Sequence, residues 1–250
     1  MTTAKLFLHG VPDSPLIWQP LLAALNLGDT PVAVPALPGF TGPLPAGFPA
    51  TKEAYADWAV GQAEALVAQH GPIDIVGHDW GALIAQRVAM LAPDLIRSWA
   101  ISNAVIEPDY RGHRLARIWN TPILGELFMA LSKPAKLAEG LAAAGMPAAI
   151  AHEEAAQWAN KDKRRAILKL YRSAKGLSFA HDWALDISKL PAKGALIWGE
   201  GDPYVDLSVA QRYSANTGTP LTVIEKAGHW AIAERPEAVA AALKAHWNAG

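Results

Sequence analysis

The stretch Ile73-Asp74-Ile75-Val76-Gly77-His78-Asp79-Trp80-Gly81 runs without a spacer into the helical segment 82–91. Its first four residues read as a buried strand, apolar and β-branched on most positions. Gly77 and Gly81 let that strand turn into a helix so tightly that the apex residue is pushed up from the surface in strained backbone geometry. The apex here is Asp79. The helix just beyond it aims backbone N–H groups back at the turn, which favours an anionic side chain or intermediate. A carboxylate so placed can attack carbon that carries a leaving group. The same spacing also fits an Asp that merely N-caps an ordinary helix. Trp80 either directs its indole N–H at a leaving group or packs into the turn, and His78 reads as a structural, hydrogen-bonding residue.

Working outward, short apolar runs recur between helical patterns. Leu6-Phe7-Leu8 stops at His9-Gly10-Val11-Pro12, a strand feeding a turn. A helical patch at 16–25 leads to Pro31-Val32-Ala33-Val34 and then to a Pro/Gly-rich loop, 35–49, long enough to contribute to a site. Thr51 is placed to N-cap a helix carrying Tyr55, Trp58, Ala59, Ala63, Leu66 and Val67 and ending near His70-Gly71-Pro72. Trp99-Ala100-Ile101-Ser102, Ala195-Leu196-Ile197-Trp198 and Leu221-Thr222-Val223-Ile224 supply further strands. Strands alternating with helices predict an α/β fold with a mostly parallel sheet. Between residues 107 and 191 the strand signals disappear, and helical patterns occupy 137–144, 157–158 and 165–171. The chain therefore divides into a first core part at 1–106, a helical insertion at 107–191 and a second core part at 192–250.

Open α/β sheets place their sites at the C-terminal ends of strands. Asp202, in Gly199-Glu200-Gly201-Asp202-Pro203, stands at such an end and can accept a hydrogen bond from an imidazole. His229, in Gly228-His229-Trp230, follows the last strand and precedes a helix. The chain order is nucleophile, acid, histidine, although each pair taken singly also fits a plain turn. The Val11 amide, at the end of the first strand, can join that of Trp80 in stabilising a developing oxyanion.

Composition narrows the classes. The 250 residues are 51% apolar and 18% charged, enough to bury a substantial core. Their 22 Lys and Arg against 23 Asp and Glu give a net charge of −1, which provides no global field for nucleic acid or an anionic membrane. There is no Cys, which excludes disulfides, thiolate catalysis and thiolate metal ligation. The sequence offers neither a secretory leader nor a run of about 18 apolar residues, so a cytoplasmic protein without a membrane span is expected.

His9-Gly10-Val11-Pro12, Gly77-His78-Asp79-Trp80-Gly81, Gly199-Glu200-Gly201-Asp202-Pro203-Tyr204-Val205 and Gly228-His229-Trp230 together resemble the α/β-hydrolases, in the branch that contains epoxide hydrolases and haloalkane dehalogenases. The resemblance implies an α/β-hydrolase fold with residues 107–191 as a helical cap. Because so few residues precede Gly10, it implies about six strands, lacking the usual N-terminal strand pair and leaving a new sheet edge that must be protected or used in pairing. A monomer or a homodimer is compatible with that edge.

The resemblance implies catalysis by Asp79, Asp202 and His229, with Val11 and Trp80 forming the oxyanion hole. It implies no metal and no cofactor, only a small apolar or amphipathic substrate and water. For epoxide hydrolysis to a diol, cap tyrosines stabilise the leaving oxygen. Tyr171, in Leu170-Tyr171-Arg172, matches the later of two, and Tyr110 is the other insertion tyrosine, in surroundings that match poorly. For a haloalkane dehalogenase, Trp80 would work with a cap indole of Trp119, Trp158 or Trp183, since Val11 replaces the Asn used in another version. Trp80 also argues against the fluoroacetate-type class, which carries Arg after the nucleophile. Hydrolysis of an activated ester or lactone, and an inactive binding protein on the same fold, are the remaining alternatives.

Overall fold

The structure is a computed structural model and describes residues 2–249. Six strands, β1 (Lys5–Leu8), β2 (Val32–Ala33), β3 (Ile73–His78), β4 (Ile96–Ser102), β5 (Gly194–Gly199) and β6 (Leu221–Ile224), form one parallel sheet in the order β2-β1-β3-β4-β5-β6. Five of them, β1 and β3 to β6, coincide with strands read from the sequence, and β2 falls within the segment Pro31-Val32-Ala33-Val34, which the sequence does not mark as a strand. In β1 and β3, Leu6, Leu8 and Ile75 enter one apolar cluster while Phe7 and Val76 enter another. This alternation with apolar residues on both faces is what a doubly covered parallel sheet requires.

The first cluster is closed by α2 (Lys52–His70) and α3 (Trp80–Leu91), the second by α1 (Gln19–Leu25) and α11 (Pro236–Asn248). Thr51 Oγ1 accepts the Ala54 N–H at 3.3 Å, capping α2 where the sequence placed its start. The helical patch at 16–25 divides into a 3-10 turn, Pro15–Trp18, and α1, because Pro20 has no N–H to donate and fits only the first turn of a new helix. The edge strand β2 is two residues long and sits between Pro31 and Pro35, which blunts it as a template for pairing.

Residues 107–191 contain α4 (Arg114–Asn120), α5 (Leu124–Leu131), α6 (Pro134–Ala143), α7 (Ala148–Ala156) and α8 (Lys161–Ser173), and no strand. The pattern at 157–158 is a 3-10 turn, Gln157–Ala159. Polar ties fasten this segment to the sheet-bearing part. Ser14 donates to Glu154, whose other oxygen takes Lys163 Nζ at 3.1 Å, with both charged side chains fully buried. The Lys52 amide donates to Ser173 Oγ at 2.8 Å. The loop at 35–49 serves the same fastening. Its Leu37 amide donates to His9 Nε2 and its Leu44 amide to Asp162, and no residue of the loop lines the cavity described below, contrary to its reading as a site loop.

Between β5 and β6 runs α9 (Leu207–Thr217), which packs on both strands, and after β6 comes α10 (Ala231–Glu234), which packs against α1 and α11. Asp74, near the start of β3, takes hydrogen bonds from Lys5 Nζ at 2.5 Å, Arg97 Nε at 2.8 Å and Ser98 Oγ at 2.5 Å. This ionic tie joins β1, β3 and β4 at the end of the sheet opposite Asp79.

Candidate active site

Asp79 sits between β3 and α3 with φ 52° and ψ −125°, a region L residues avoid. The turn is tight enough that a Cβ on Gly77 would lie 2.2 Å from the Gly81 carbonyl oxygen, and one on Gly81 would lie 2.0 Å from that of Leu8. Only glycine fits at either place. The Asp79 N–H donates to the Ser102 carbonyl at 3.1 Å, so the neighbouring strand holds the strained residue.

Its side chain makes no capping hydrogen bond to α3. Instead, Oδ1 accepts the Val11 N–H at 2.8 Å, and Oδ2 lies 3.6 Å from His229 Nε2. Burial opposes charge on Asp79, but His229 and the Trp80 N–H outweigh it and hold the carboxyl below its ordinary pKa. One carboxylate oxygen thus occupies a backbone donor site while the other faces the imidazole.

His229 Nδ1 contacts Asp202 Oδ2 at 2.8 Å, and its backbone N–H donates to the Ala144 carbonyl at 2.9 Å, tying the histidine loop to the end of α6. Burial alone would lower the pKa of His229, yet Asp202 and Asp79 together lift it to about 10. Asp202 is oriented by the amides of Tyr204 and Val205 on Oδ1, at 2.7 and 3.0 Å. Asn103 Nδ2 donates to its Oδ2 at 2.8 Å. Burial again opposes the charge, and His229 and these donors keep Asp202 ionised. Asn103 has no signature in the sequence beyond following a strand.

His78 is fully buried with its ring 4.8 Å from that of His229, and burial lowers its pKa to about 3. Neither ring nitrogen makes a hydrogen bond, which corrects its reading as a hydrogen-bonding residue. The ring packs against that of His229, and its Nε2 lies 3.8 Å from Asp13 Oδ2, beyond hydrogen-bond distance.

Asp79 and His229 open into a cavity of about 320 Å³ whose other walls include Val11, Leu115, Trp119, Phe128, Leu137 and Tyr171. Tyr171, from α8, is buried against Trp80, ring centroids 5.2 Å apart and edge to face. Burial and the Asp79 charge raise its pKa well above the ordinary phenol value, so it keeps its proton. Tyr110 lines a smaller adjoining compartment with Asp79, Trp80 and Tyr171, and its hydroxyl donates to the Tyr204 carbonyl at 3.1 Å.

Of the three indoles in the helical segment, Trp119 alone lines the main cavity, and its Nε1 is buried without a partner among the described residues. Trp158 and Trp183 do not reach it. His113, unremarked in the sequence, lines both compartments. Among the described residues no group of three or more His, Asp or Glu is arranged to hold a metal ion.

The sequence profile of the alpha/beta hydrolase family matches residues 6–242. The chain belongs to that family. This alpha/beta hydrolase is 24% identical over 242 residues to the (E)-2-((N-methylformamido)methylene)succinate hydrolase of Acinetobacter baylyi, covering 95% of this chain and 88% of the relative. Its fold is similar to that of a 2-hydroxy-6-oxo-6-phenylhexa-2,4-dienoate hydrolase from Rhodococcus, with TM-score 0.81, 22% identity and coverage of 99% and 91%. An epoxide hydrolase from Vigna radiata superposes with TM-score 0.79 at 16% identity, covering 98% and 91%. At such identities the solved structures establish the hydrolase fold, and the choice of reaction rests on the side chains of this chain. No helix of the described residues is long and apolar enough to cross a membrane.

Proposed function

We propose that this hydrolase opens epoxides to diols through a covalent ester on Asp79. The observation that carries the reading is the division of labour at the Asp79 carboxylate on the cavity wall: Oδ1 rests on the Val11 N–H, and Oδ2 faces His229. Oδ2 attacks an epoxide carbon, the C–O bond breaks, and the electron pair left on oxygen takes the proton of Tyr171. Water then attacks Cγ of the ester while His229 Nε2 takes its proton, and the negative charge develops on Oδ1, where the amides of Val11 and Trp80 await it. Collapse expels the second alkoxide, which takes the proton from His229. The proton left on the new Asp79 carboxyl restores the Tyr171 phenol through solvent.

Tyr171 supports the epoxide reading over the halide one. It is a neutral O–H donor on the same cavity as Asp79, whereas of the indoles that a halide cradle could use only Trp119 lines that cavity, and its N–H is buried. Apolar walls fit a small apolar or amphipathic substrate.

The test is a His229→Gln variant incubated with a panel of epoxides and haloalkanes. Mass spectrometry of the peptide containing Asp79 should find an alkyl ester with epoxides. Folded protein that gives neither adduct nor turnover with any epoxide would sink the proposal.

A further inference from the structure

His113 is the N-cap of α4, and its Nδ1 accepts the Ala116 N–H at 3.2 Å. A neutral imidazole carries one proton, so an acceptor Nδ1 places that proton on Nε2. Burial lowers the pKa of His113 to about 4, which keeps the ring neutral and this tautomer in place at neutral pH. The ring packs on Tyr204, centroids 4.9 Å apart, and Tyr204 in turn packs edge-on against His229 at 5.0 Å. His113 is thereby fixed on the wall of the cavity that Asp79 and Tyr171 share, with Nε2–H unengaged by the described residues. The phenolic proton of Tyr110 is committed to the Tyr204 carbonyl.

We infer that His113 donates its Nε2–H as a hydrogen bond to the substrate oxygen that leaves carbon, beside Tyr171 and in place of a second cap tyrosine. This rests on the epoxide reading above. As the Asp79 Oδ2–carbon bond forms and the carbon–oxygen bond breaks, the oxygen takes its proton from Tyr171, while His113 shares its own and transfers none. The helix cap is what makes the residue a donor, because it occupies the other ring nitrogen.

Two substitutions separate the donor from the cap. His113→Asn keeps an acceptor where Nδ1 stood and is a good N-cap, but it ends short of the Nε2 position. His113→Gln extends an amide N–H to that position and loses the short capping acceptor. Both are made in the His229→Gln background, and ester formation on Asp79 from styrene oxide is followed by rapid quench and mass spectrometry.

The expected result is that His113→Asn melts near its parent and forms the ester about tenfold to a hundredfold more slowly. His113→Gln should melt lower and recover most of the rate. Equal rates for parent and His113→Asn, or equal losses in both variants, overturn the assignment, because His113 would then serve as a cap or as bulk. A folded parent that forms no ester removes the epoxide reading itself, and this proposal with it. That outcome is told apart because it needs no substitution at His113.

Discussion

His229 Nε2 stands 3.6 Å from Asp79 Oδ2 while His229 Nδ1 contacts Asp202 at 2.8 Å, so one imidazole lies between two buried carboxylates. Burial alone favours the neutral ring, and the two anions reverse that preference and raise its pKa to about 10. The free enzyme at neutral pH therefore pairs an Asp79 carboxylate with a His229 imidazolium. In the proposed mechanism esterification makes Asp79 neutral and removes one of the two anions, so the pKa of His229 falls, the imidazolium releases its proton to solvent, and Nε2 can then accept one from water; the released proton is taken up again when the Asp79 carboxylate is regenerated. Single-turnover kinetics should show ester hydrolysis titrating with a pKa below that of His229 in the free enzyme, its rate falling as His229 is protonated. Finding the same pKa in the free and esterified states, by histidine NMR on a slowly hydrolysed ester, would refute the coupling.

Tyr171 is buried between Trp80 and Trp119, with ring centroids 5.2 and 5.0 Å away, and it retains its proton. Tyr171→Phe preserves that packing and removes only the hydroxyl. Ester formation from an epoxide should slow by about 10²- to 10⁴-fold, the usual contribution of a general acid, while thermal stability changes little. A bromoalkane, whose leaving group needs no proton, should lose much less. Equal losses with both substrates would assign Tyr171 a packing role.

Asn103 reaches Asp202 because β4 and β5 are neighbours, Ser102 standing beside Ile197 in register. Removing it leaves Asp202 with its two amide donors and one fewer partner on the oxygen that orients His229. Asn103→Ala should slow ester hydrolysis about tenfold or more and leave ester formation nearly unchanged, so that ester accumulates during turnover. Quenched samples analysed by mass spectrometry check this, and an unchanged steady-state level of ester would count against the role.

The contrast between Asp79 and Asn103 explains what a linear reading captures. Asp79 is announced by a local pattern, a strand meeting a helix between two glycines, and Asp202 and His229 each follow a strand at its C-terminal end. Five of the six strands are legible for the same reason, since each is an apolar run near turn residues, whereas the two-residue β2 is too short to show one. Asn103 becomes meaningful only through the order of strands in the sheet. His113 needs both the cap of α4 and the placement of that helix on the cavity wall. The indoles show the converse: Trp119 lines the cavity, yet its Nε1 is buried without a partner among the described residues, and ring orientation leaves no trace in residue spacing.

At the opposite end of the sheet, Asp74 is fully buried and receives Lys5, Arg97 and Ser98. Burial would raise its pKa, but these donors overcome it and hold the pKa below 3.8. Asp74→Ala strands Lys5, whose side chain is 8% exposed, without its partner. Loss of one member of a buried pair costs about 3–5 kcal/mol, and the partly exposed Arg97 can rehydrate, which favours the lower end. The pH dependence follows from the depressed pKa. The unfolded chain takes up this proton near pH 3.9 and the folded chain only at lower pH, so the contribution is fully present above about pH 4–5 and disappears as pH falls through the folded pKa. Urea unfolding of the parent and Asp74→Ala should therefore diverge at pH 7 and converge below about pH 4, and a gap that widened on acidification would show that Asp74 is not ionised in the folded protein.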